Sequence, residues 1–462
     1  MKDFKISCPT YAETALNMLR DSGFTAYVVG GCVRDSIMGR TPGDWDMTTS
    51  SLPNETMEVF KGFRTIPTGL KHGTVTVLIE KQPLEITTMR IDGEYTDSRR
   101  PDSVMFTEDI CKDLSRRDFT VNAMAYNPQS GLVDPFGGRQ DIENKIIRCV
   151  GNPDKRFGED ALRIIRALRF ASVLDFEIEA ETSESIRRNA PLLENVANER
   201  IRVELLKLLT GKGVERILTQ YKDIIFGIIP ELKNEDGLNQ HTPYHIYDVW
   251  THTVKVINAI ESEPIMRFAA LLHDISKPDM LRIDEKGIGH FKGHPQAGAE
   301  KAKEIMKELR FSNAEIEKVY HVIYLHDNFH DVQKDGAKKK LIRMCSEHGT
   351  ENVRNSLMLV RADAYGKNPD IFDIETGRCD TAEQLIEEIE NENICLKISD
   401  LDINGNDLKA YGMKGKEISE TLRNLLEKVM DGELKNTRNE LLEEAKKTKK
   451  NNKKSLDNQP LV

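Results

Sequence analysis

Strand signals occupy only the first third of this chain, and that asymmetry constrains its fold more than any other feature. Ala26-Tyr27-Val28-Val29 is a short apolar run that ends at once in Gly30-Gly31. Thr74–Ile79 and Leu84–Thr88 are β-branched runs, expected to be joined by a short turn containing Pro83. Residues 11–23 form a helical pattern, with Ala15, Leu16 and Leu19 on one face and Gly23 as the expected C-cap. Residues 1–148 therefore read as an α+β domain. From 149 onward apolar positions recur at helical spacing, as in Leu162, Ile165 and Leu168 or Val203, Leu206 and Leu209. The helical part divides into 149–235, 236–370 and 371–445, with the polar stretch DGLNQHT at 236–242 marking the first boundary. The last of these pieces holds the turn-like Asn404-Gly405 and a helix from Ile418 to Val429. Residues 446–462 (KKTKKNNKKSLDNQPLV) are basic and of low complexity, and read as a disordered tail.

Composition bounds the function classes. At roughly 150 residues per domain, 462 residues suit two to four domains. No run approaches the roughly 20 apolar residues of a membrane span, and MKDFKISCPT has no apolar core of a secretion signal. Seven cysteines without C-x-x-C pairs point to a reducing compartment and away from structural zinc. A cytoplasmic protein with no membrane association is expected. The net charge of −10 leaves nucleic-acid binding open, because binding depends on local basic patches and not on the total.

The stretch Tyr27 to Thr49, YVVGGCVRDSIMGRTPGDWDMTT, carries the first chemistry. A strand runs into Gly30-Gly31, where the missing Cβ lets backbone amides approach an anion. A helix follows from about Cys32, and Arg34 is one turn into it. Then comes Asp44-Trp45-Asp46. Residues two apart in a strand share a face, so both carboxylates would converge on one spot. Such a pair suits Mg²⁺, which prefers oxygen ligands and accepts others from substrate phosphates. Alone, a D-x-D is a common solvated turn and a GG before a helix is unremarkable. Their order and spacing together carry the signal.

The composite GGxVRD–GRxPxDxDxxT resembles the nucleotidyltransferase head of the class II tRNA CCA-adding enzymes and their bacterial poly(A) polymerase relatives. That resemblance implies a polymerase-β-like palm for residues 1–148, followed by an all-α neck and body at 149–235. It implies Asp44 and Asp46 as Mg²⁺-binding catalytic carboxylates, and Glu85 is a candidate third. Arg90 to Asp102 looks like the flexible loop of these enzymes. Arg116 to Ala125 (RRDFTVNAMA) is similar to their RRDFTxNAxA motif, which brings Arg117, Asp118 and Asn122 to the nucleotide alongside Gly30, Gly31 and Arg34. Glu159-Asp160-Ala161-Leu162-Arg163 resembles their EDxxR pattern. Read as one helix, Asp160, Arg163, Arg166 and Arg169 are successive neighbours on its surface. A carboxylate beside guanidinium forks can read the Watson–Crick edge of a base. By resemblance Asp160 and Arg163 would select CTP or ATP, while Arg166 and Arg169 hold phosphates or geometry. Glu199–Leu209 looks like the neck helix, and residues 371–445 like a tRNA-contacting helical tail.

A second constellation lies further along. Nine of the 11 histidines fall between 241 and 330. His252, His273-Asp274, His294, His326 and Asp363 form an ordered H…HD…H…H…D set, whose mixed imidazole and carboxylate donors suit Mn²⁺, Ni²⁺, Co²⁺ or Mg²⁺. The set resembles the HD phosphohydrolase superfamily. Carried across, His252, His273, Asp274 and Asp363 are core ligands of an HD-type helical domain at 236–370, and His294 and His326 are accessory. His241, His245, His290, His321 and His330 have no place in it.

The leading expectation is addition of CMP and AMP to tRNA 3′ ends from CTP and ATP by a two-metal mechanism, with metal-dependent phosphohydrolysis as a second activity. The alternatives are an A-adding enzyme, a poly(A) polymerase, and an HD phosphohydrolase whose N-terminal half merely binds RNA. The apparently complete loop at 90–102 argues against a CC-only enzyme, and the short lysine cluster at 446–454 against a poly(A) polymerase.

Overall fold

The computed structural model describes residues 5–70, 73–93 and 103–457. The described chain falls into two compact units, divided at Lys233/Asn234, with Glu308–Arg310 grouped with the first.

The first unit opens with α1 (Thr10–Asp21), β1 (Ala26–Val29), α2 (Gly31–Ile37), β2 (Asp46–Thr49) and α3 (Pro53–Val59). Strands β3 (Arg64–Gly69), β4 (Thr74–Ile79), β5 (Gln82–Thr88), β6 (Arg90–Asp92) and β7 (Val104–Phe106) follow, then α4 (Ile110–Ser115), β8 (Ala125–Asn127), β9 (Gly131–Val133) and α5 (Gly138–Asn144). Seven strands form one sheet in the order β3-β4-β5-β2-β1-β8-β9. Strand β2 is central, antiparallel to β1 and parallel to β5. Two readings of the sequence need correction here. The β4–β5 turn is Glu80-Lys81, both left-handed (φ 52° and 66°), and Pro83 lies inside β5 opposite Leu78. Proline is tolerated near a strand's start, where its missing N–H interrupts little of the ladder. Asp44 precedes β2 and is not part of it, although exposed Asp44, buried Trp45, exposed Asp46 and buried Met47 still alternate.

The rest of this unit holds β10 (Ile146–Ile147), α6 (Pro153–Glu159), α7 (Leu162–Leu174), β11 (Glu177–Ile178), α8 (Ala180–Asn189), α9 (Asn198–Leu209), α10 (Val214–Gln220) and α11 (Lys222–Ile228). Asp160 is not on a continuous helix with Arg163. It occupies an extended junction between α6 and α7 (φ −145°, ψ 103°), where its Oδ1 accepts the Leu162 N–H at 3.1 Å. Aspartate competes for backbone donors in this way, so it favours helix starts over interiors.

The second unit is helical apart from the two-residue strands β12 (Arg282–Ile283) and β13 (Gly289–His290). Around them stand α12 (Val249–Ala259), α13 (Pro264–Leu272), α14 (Lys277–Met280), α15 (His294–Glu308), α16 (Asn313–Leu325), α17 (Ala337–His348), α18 (Thr350–Asp363) and α19 (Phe372–Asn391). Then come α20 (Gly405–Ala410), α21 (Lys416–Met430) and α22 (Arg438–Asp457), with Leu408, Leu425 and Leu441 in a shared core. Asn404-Gly405 is a helix start, not a free turn: the Asn404 side chain accepts the Asn406 N–H. The expected disordered tail is helical through Asp457, because lysine propagates a helix as readily as it solvates a coil. Among the described residues no helix is long and apolar enough to cross a membrane.

Candidate functional site

The strand register assembles the carboxylates of the first unit. Asp46 pairs with Val29 on β1 and directly with Glu85 on β5, so Glu85 is its lateral neighbour. Asp46 is open to solvent on one side, yet the protein packed around it withholds enough water to matter. Burial, then Asp44, then Glu85 push its carboxyl up from 3.8 to about 6, and Arg117 opposes them. Three carboxylates in mutual repulsion are the charge arrangement a divalent cation relieves. Gly30 takes φ 83°, open to glycine without strain, and a Cβ there would meet Arg117 Nη1 at 3.1 Å. The GG turn thus lets Arg117 approach the β1–α2 corner.

Behind this corner runs a polar network. Arg34 Nη1 donates to Asn122 Oδ1 at 2.6 Å, and Asn122 Nδ2 donates to Asp118 Oδ1 at 3.3 Å. Asp118 Oδ2 receives Arg166 Nε and Nη2 at 2.9 and 2.5 Å. Burial works against the Asp118 anion, but Arg166 and Arg163 outweigh it and hold the carboxyl at about 2. Glu204, which the sequence did not single out, pairs with Arg169 at 2.9 Å and Arg166 at 3.6 Å. The Arg169 guanidinium also stacks 3.6 Å from the Phe170 centroid.

Asp160 and Arg163 each have a protein partner of their own. Asp160 Oδ2 is paired with Arg200 at 3.1 Å. Arg163 donates to Glu159 Oε2 at 2.7 Å and to the carbonyls of Arg156 and Arg116. Arg200 was missed because it lies forty residues away on another helix, and only its place in the ERIRVELL run marks it. The loop read at 90–102 falls largely at 94–102, outside the described residues.

In the second unit the six histidines and aspartates of the second constellation form two buried triads, His252–His273–Asp363 and Asp274–His294–His326. His252 comes from α12, His273 and Asp274 from the end of α13, His294 from the start of α15, His326 from the end of α16, and Asp363 from the end of α18. Each imidazole gives its Nδ1–H to a backbone carbonyl: His252 to Gly366, His273 to Ala270, His294 to Phe291 and His326 to Ile323. A carbonyl only accepts, so every Nε2 is left facing inward. His252 and His273 Nε2 stand 3.3 Å apart, His294 and His326 Nε2 3.2 Å. Facing lone pairs at that distance call for a cation or a proton between them, and the donor set fits a divalent metal. Asp274 joins the triads, with Oδ2 3.2 Å from His273 and Oδ1 3.5 Å from His294. Burial lowers His326 to about 3, His294 and His273 adding to it. Burial also disfavours charged His273, but Asp274 and Asp363 outweigh it and lift it to about 10.

Two lysines, Lys277 buried and Lys367 partly buried, complete the cluster and were not singled out from sequence. Lys277 Nζ lies 2.7 Å from Asp274 and Lys367 Nζ 2.6 Å from Asp363. Both line a cavity of about 740 Å³ that also opens on His294, His326 and Tyr244. Of the histidines without a place, His245 and His290 line this cavity too, as does His330.

The class follows from the parts. Residues 26–148 match the model described as poly A polymerase head domain, 175–233 that of a probable RNA and SrmB-binding site of polymerase A, and 296–445 a putative tRNA nucleotidyltransferase domain 2. The chain is 32% identical over 435 residues to a CCA-adding enzyme of Staphylococcus aureus (strain MSSA476), covering 93% of this chain and 96% of the relative. It is 45% identical over 228 residues to that of Geobacillus stearothermophilus, covering 49% and 53%. Its fold superposes on the Bacillus stearothermophilus CCA-adding enzyme in complex with CTP with a TM-score of 0.69, at 28% identity over 96% of this chain and 98% of that one. These findings define a nucleotidyltransferase. The chain belongs to the CCA-adding enzyme family.

Proposed function

We propose that the chain adds CMP and AMP to the 3′ end of tRNA, taking CTP and ATP and releasing pyrophosphate. The observation that supports this most is the Asp46–Glu85 register beside Asp44, with Gly30 and Arg117 at the same corner. Asp44 and Asp46, with Glu85, would hold Mg²⁺. Bound there, Mg²⁺ would supply activation of the attacking hydroxyl and charge to neutralise the leaving pyrophosphate. Gly30, Gly31, Arg34 and Arg117 face the triphosphate in this reading. Asp118 and Asn122 tie Arg34 to Arg166, which keeps these cations in place through the cycle. Asp160 and Arg163 read the base, and Arg200 holds Asp160 until it does. Arg166 and Arg169 keep that surface in register through Glu204. The test uses tRNAs ending before C74, after C74 and after C75, each offered CTP or ATP alone. Sequential addition of two C and one A supports full CCA addition. Extension only of the CC end by ATP supports an A-adding enzyme, and untemplated A runs a poly(A) polymerase.

A specific observation favours a second activity. Four inward Nε2 atoms and two carboxylates in one buried cluster support an HD-type metal centre, whose cations these six side chains would hold. Divalent ions there would supply activated water for hydrolysis of phosphate monoesters or 2′,3′-cyclic phosphates. Lys277 and Lys367 orient Asp274 and Asp363 and add positive charge to the cavity wall. Imidazole-rich ligation favours Mn²⁺, Co²⁺ or Ni²⁺ over Mg²⁺. Assaying hydrolysis with each ion separately tests it, and no hydrolysis with any of the four would remove the activity.

A further inference from the structure

Asp113 is fully buried and is the most heavily connected carboxylate near the Asp46 site. It sits on α4, one turn before the Arg116-Arg117 pair. Its Oδ1 accepts Arg116 Nε at 3.0 Å and the backbone N–H of Arg90 at 3.2 Å. Its Oδ2 accepts the Thr48 hydroxyl at 3.4 Å and lies 3.8 Å from Arg117 Nη2. One side chain thus joins β2 two residues beyond Asp46, the start of the β6–β7 hairpin, and the arginine packed against Gly30. Arg116 extends the chain of alternating charge to Asp92 at 3.9 Å, and Asp92 pairs with Arg90 at 2.9 Å.

Taking a carboxylate out of water is costly, and these partners offset that cost while the carboxylate fixes their positions. The partners differ in kind. Arg116 and Arg90 have Asp92 as a second anchor, whereas Arg117 pairs with Asp113 and, among the described residues, has a buried Nε outside any hydrogen bond. Of the carboxylates acting on Arg117, Asp113 acts most strongly, ahead of Asp118 and Asp46.

We propose that Asp113 is a positioning residue for nucleotide addition, acting through Arg117 and tying it to β2 and the β6–β7 hairpin. This rests on reading Asp44, Asp46 and Glu85 as the transfer site. Asp113→Asn keeps the shape and removes the charge. It should lower kcat for CMP addition about a hundredfold, the scale of a misplaced group at a site of chemistry, with tRNA binding retained. The deciding measurement is the cycle with Arg117→Gln. If Asp113 acts through Arg117, the double variant is no slower than Arg117→Gln alone, whereas independent losses multiply. A multiplied loss, or near-normal kcat in Asp113→Asn, overturns the proposal. Asp113→Asn/Arg116→Gln removes one charge of each sign and is read if the single variant does not fold. If it too fails to fold, Asp113 is a folding residue and the proposal falls. Asp46→Ala is measured beside them: if it remains active, the transfer-site reading has failed, independently of the Asp113 cycle.

Discussion

The carboxylate cluster of the first unit and the histidine–aspartate cluster of the second are built by opposite means. In the first unit three carboxylates meet because adjacent strands fix their register, and they remain exposed to solvent. In the second, six ligands arrive from five helices, all are buried, and each imidazole is aimed by a carbonyl within its own turn or beside it. Carboxylates exposed at the near ends of central strands would leave room for a large substrate to bring its own oxygens to a cation. The buried cluster is reached through a cavity of about 740 Å³ and admits only what fits it. The first design suits transfer to a macromolecular end, the second hydrolysis of a small or terminal phosphate.

The sharpest way to break this comparison is to remove one cluster at a time. Asp44→Ala or Asp46→Ala should cut nucleotide addition by at least about a thousandfold and leave metal-dependent hydrolysis as it was. His273→Ala or Asp274→Ala should do the reverse, abolishing hydrolysis while addition continues. Metal analysis adds a count: the unaltered protein should retain two transition-metal ions per chain in the second cluster, and Asp274→Ala should lose both because Asp274 serves both triads. Loss of addition in a well-folded Asp274→Ala protein would show that the clusters are not independent.

A smaller effect is expected at Asp160. Replacing it by Ala should weaken discrimination for CTP and ATP over UTP and GTP by about tenfold per lost hydrogen bond, since each contributes about 1–3 kcal/mol. Arg200→Ala should leave discrimination closer to normal, because Arg200 holds Asp160 and does not face the base in this reading. A uniform fall in rate with unchanged selectivity in Asp160→Ala would mark the Asp160–Arg200 pair as structural.

What could be seen in the sequence follows from the range of each interaction. Asp44, Asp46 and Gly30 lie within one strand-turn-helix segment, so spacing alone brought them forward. The HD-type set spans more than a hundred residues, yet its histidines stand out by residue type. Asp113, Lys277 and Lys367 were invisible for another reason: a lone aspartate or lysine has no pattern, and only tertiary packing shows it held against an opposite charge. The Asp160 error was one of local competition. A 3.6-residue period was read through a position where the side chain captures a backbone donor and ends one helix before another begins.

The smallest predicted effect concerns stability, and it separates the clusters by sign. Asp46 has its carboxyl raised from 3.8 to about 6 by burial, Asp44 and Glu85, so the folded state prefers it protonated. Its ionisation therefore costs stability that is absent below about pH 4, grows between pH 4 and 6, and is complete above pH 6. Asp46→Asn should raise the melting temperature of the metal-free protein at pH 7.5 by about a degree or two, a modest figure because the group is solvent-accessible. The gain should vanish near pH 3.5. Mg²⁺ should shrink it at pH 7.5, since the cation relieves the same repulsion in the unaltered protein. Asp274 behaves oppositely. Although burial disfavours its anion, His273 and Lys277 hold its carboxyl well below the ordinary value. Its ionised form adds stability above about pH 4 that is lost as pH falls through the folded value. Asp274→Asn should therefore lower the melting temperature under the same conditions. A lower melting temperature for Asp46→Asn at pH 7.5 without metal would show that Arg117 outweighs the neighbouring carboxylates, and that Asp46 is a structural ion-pair member with no need of a cation.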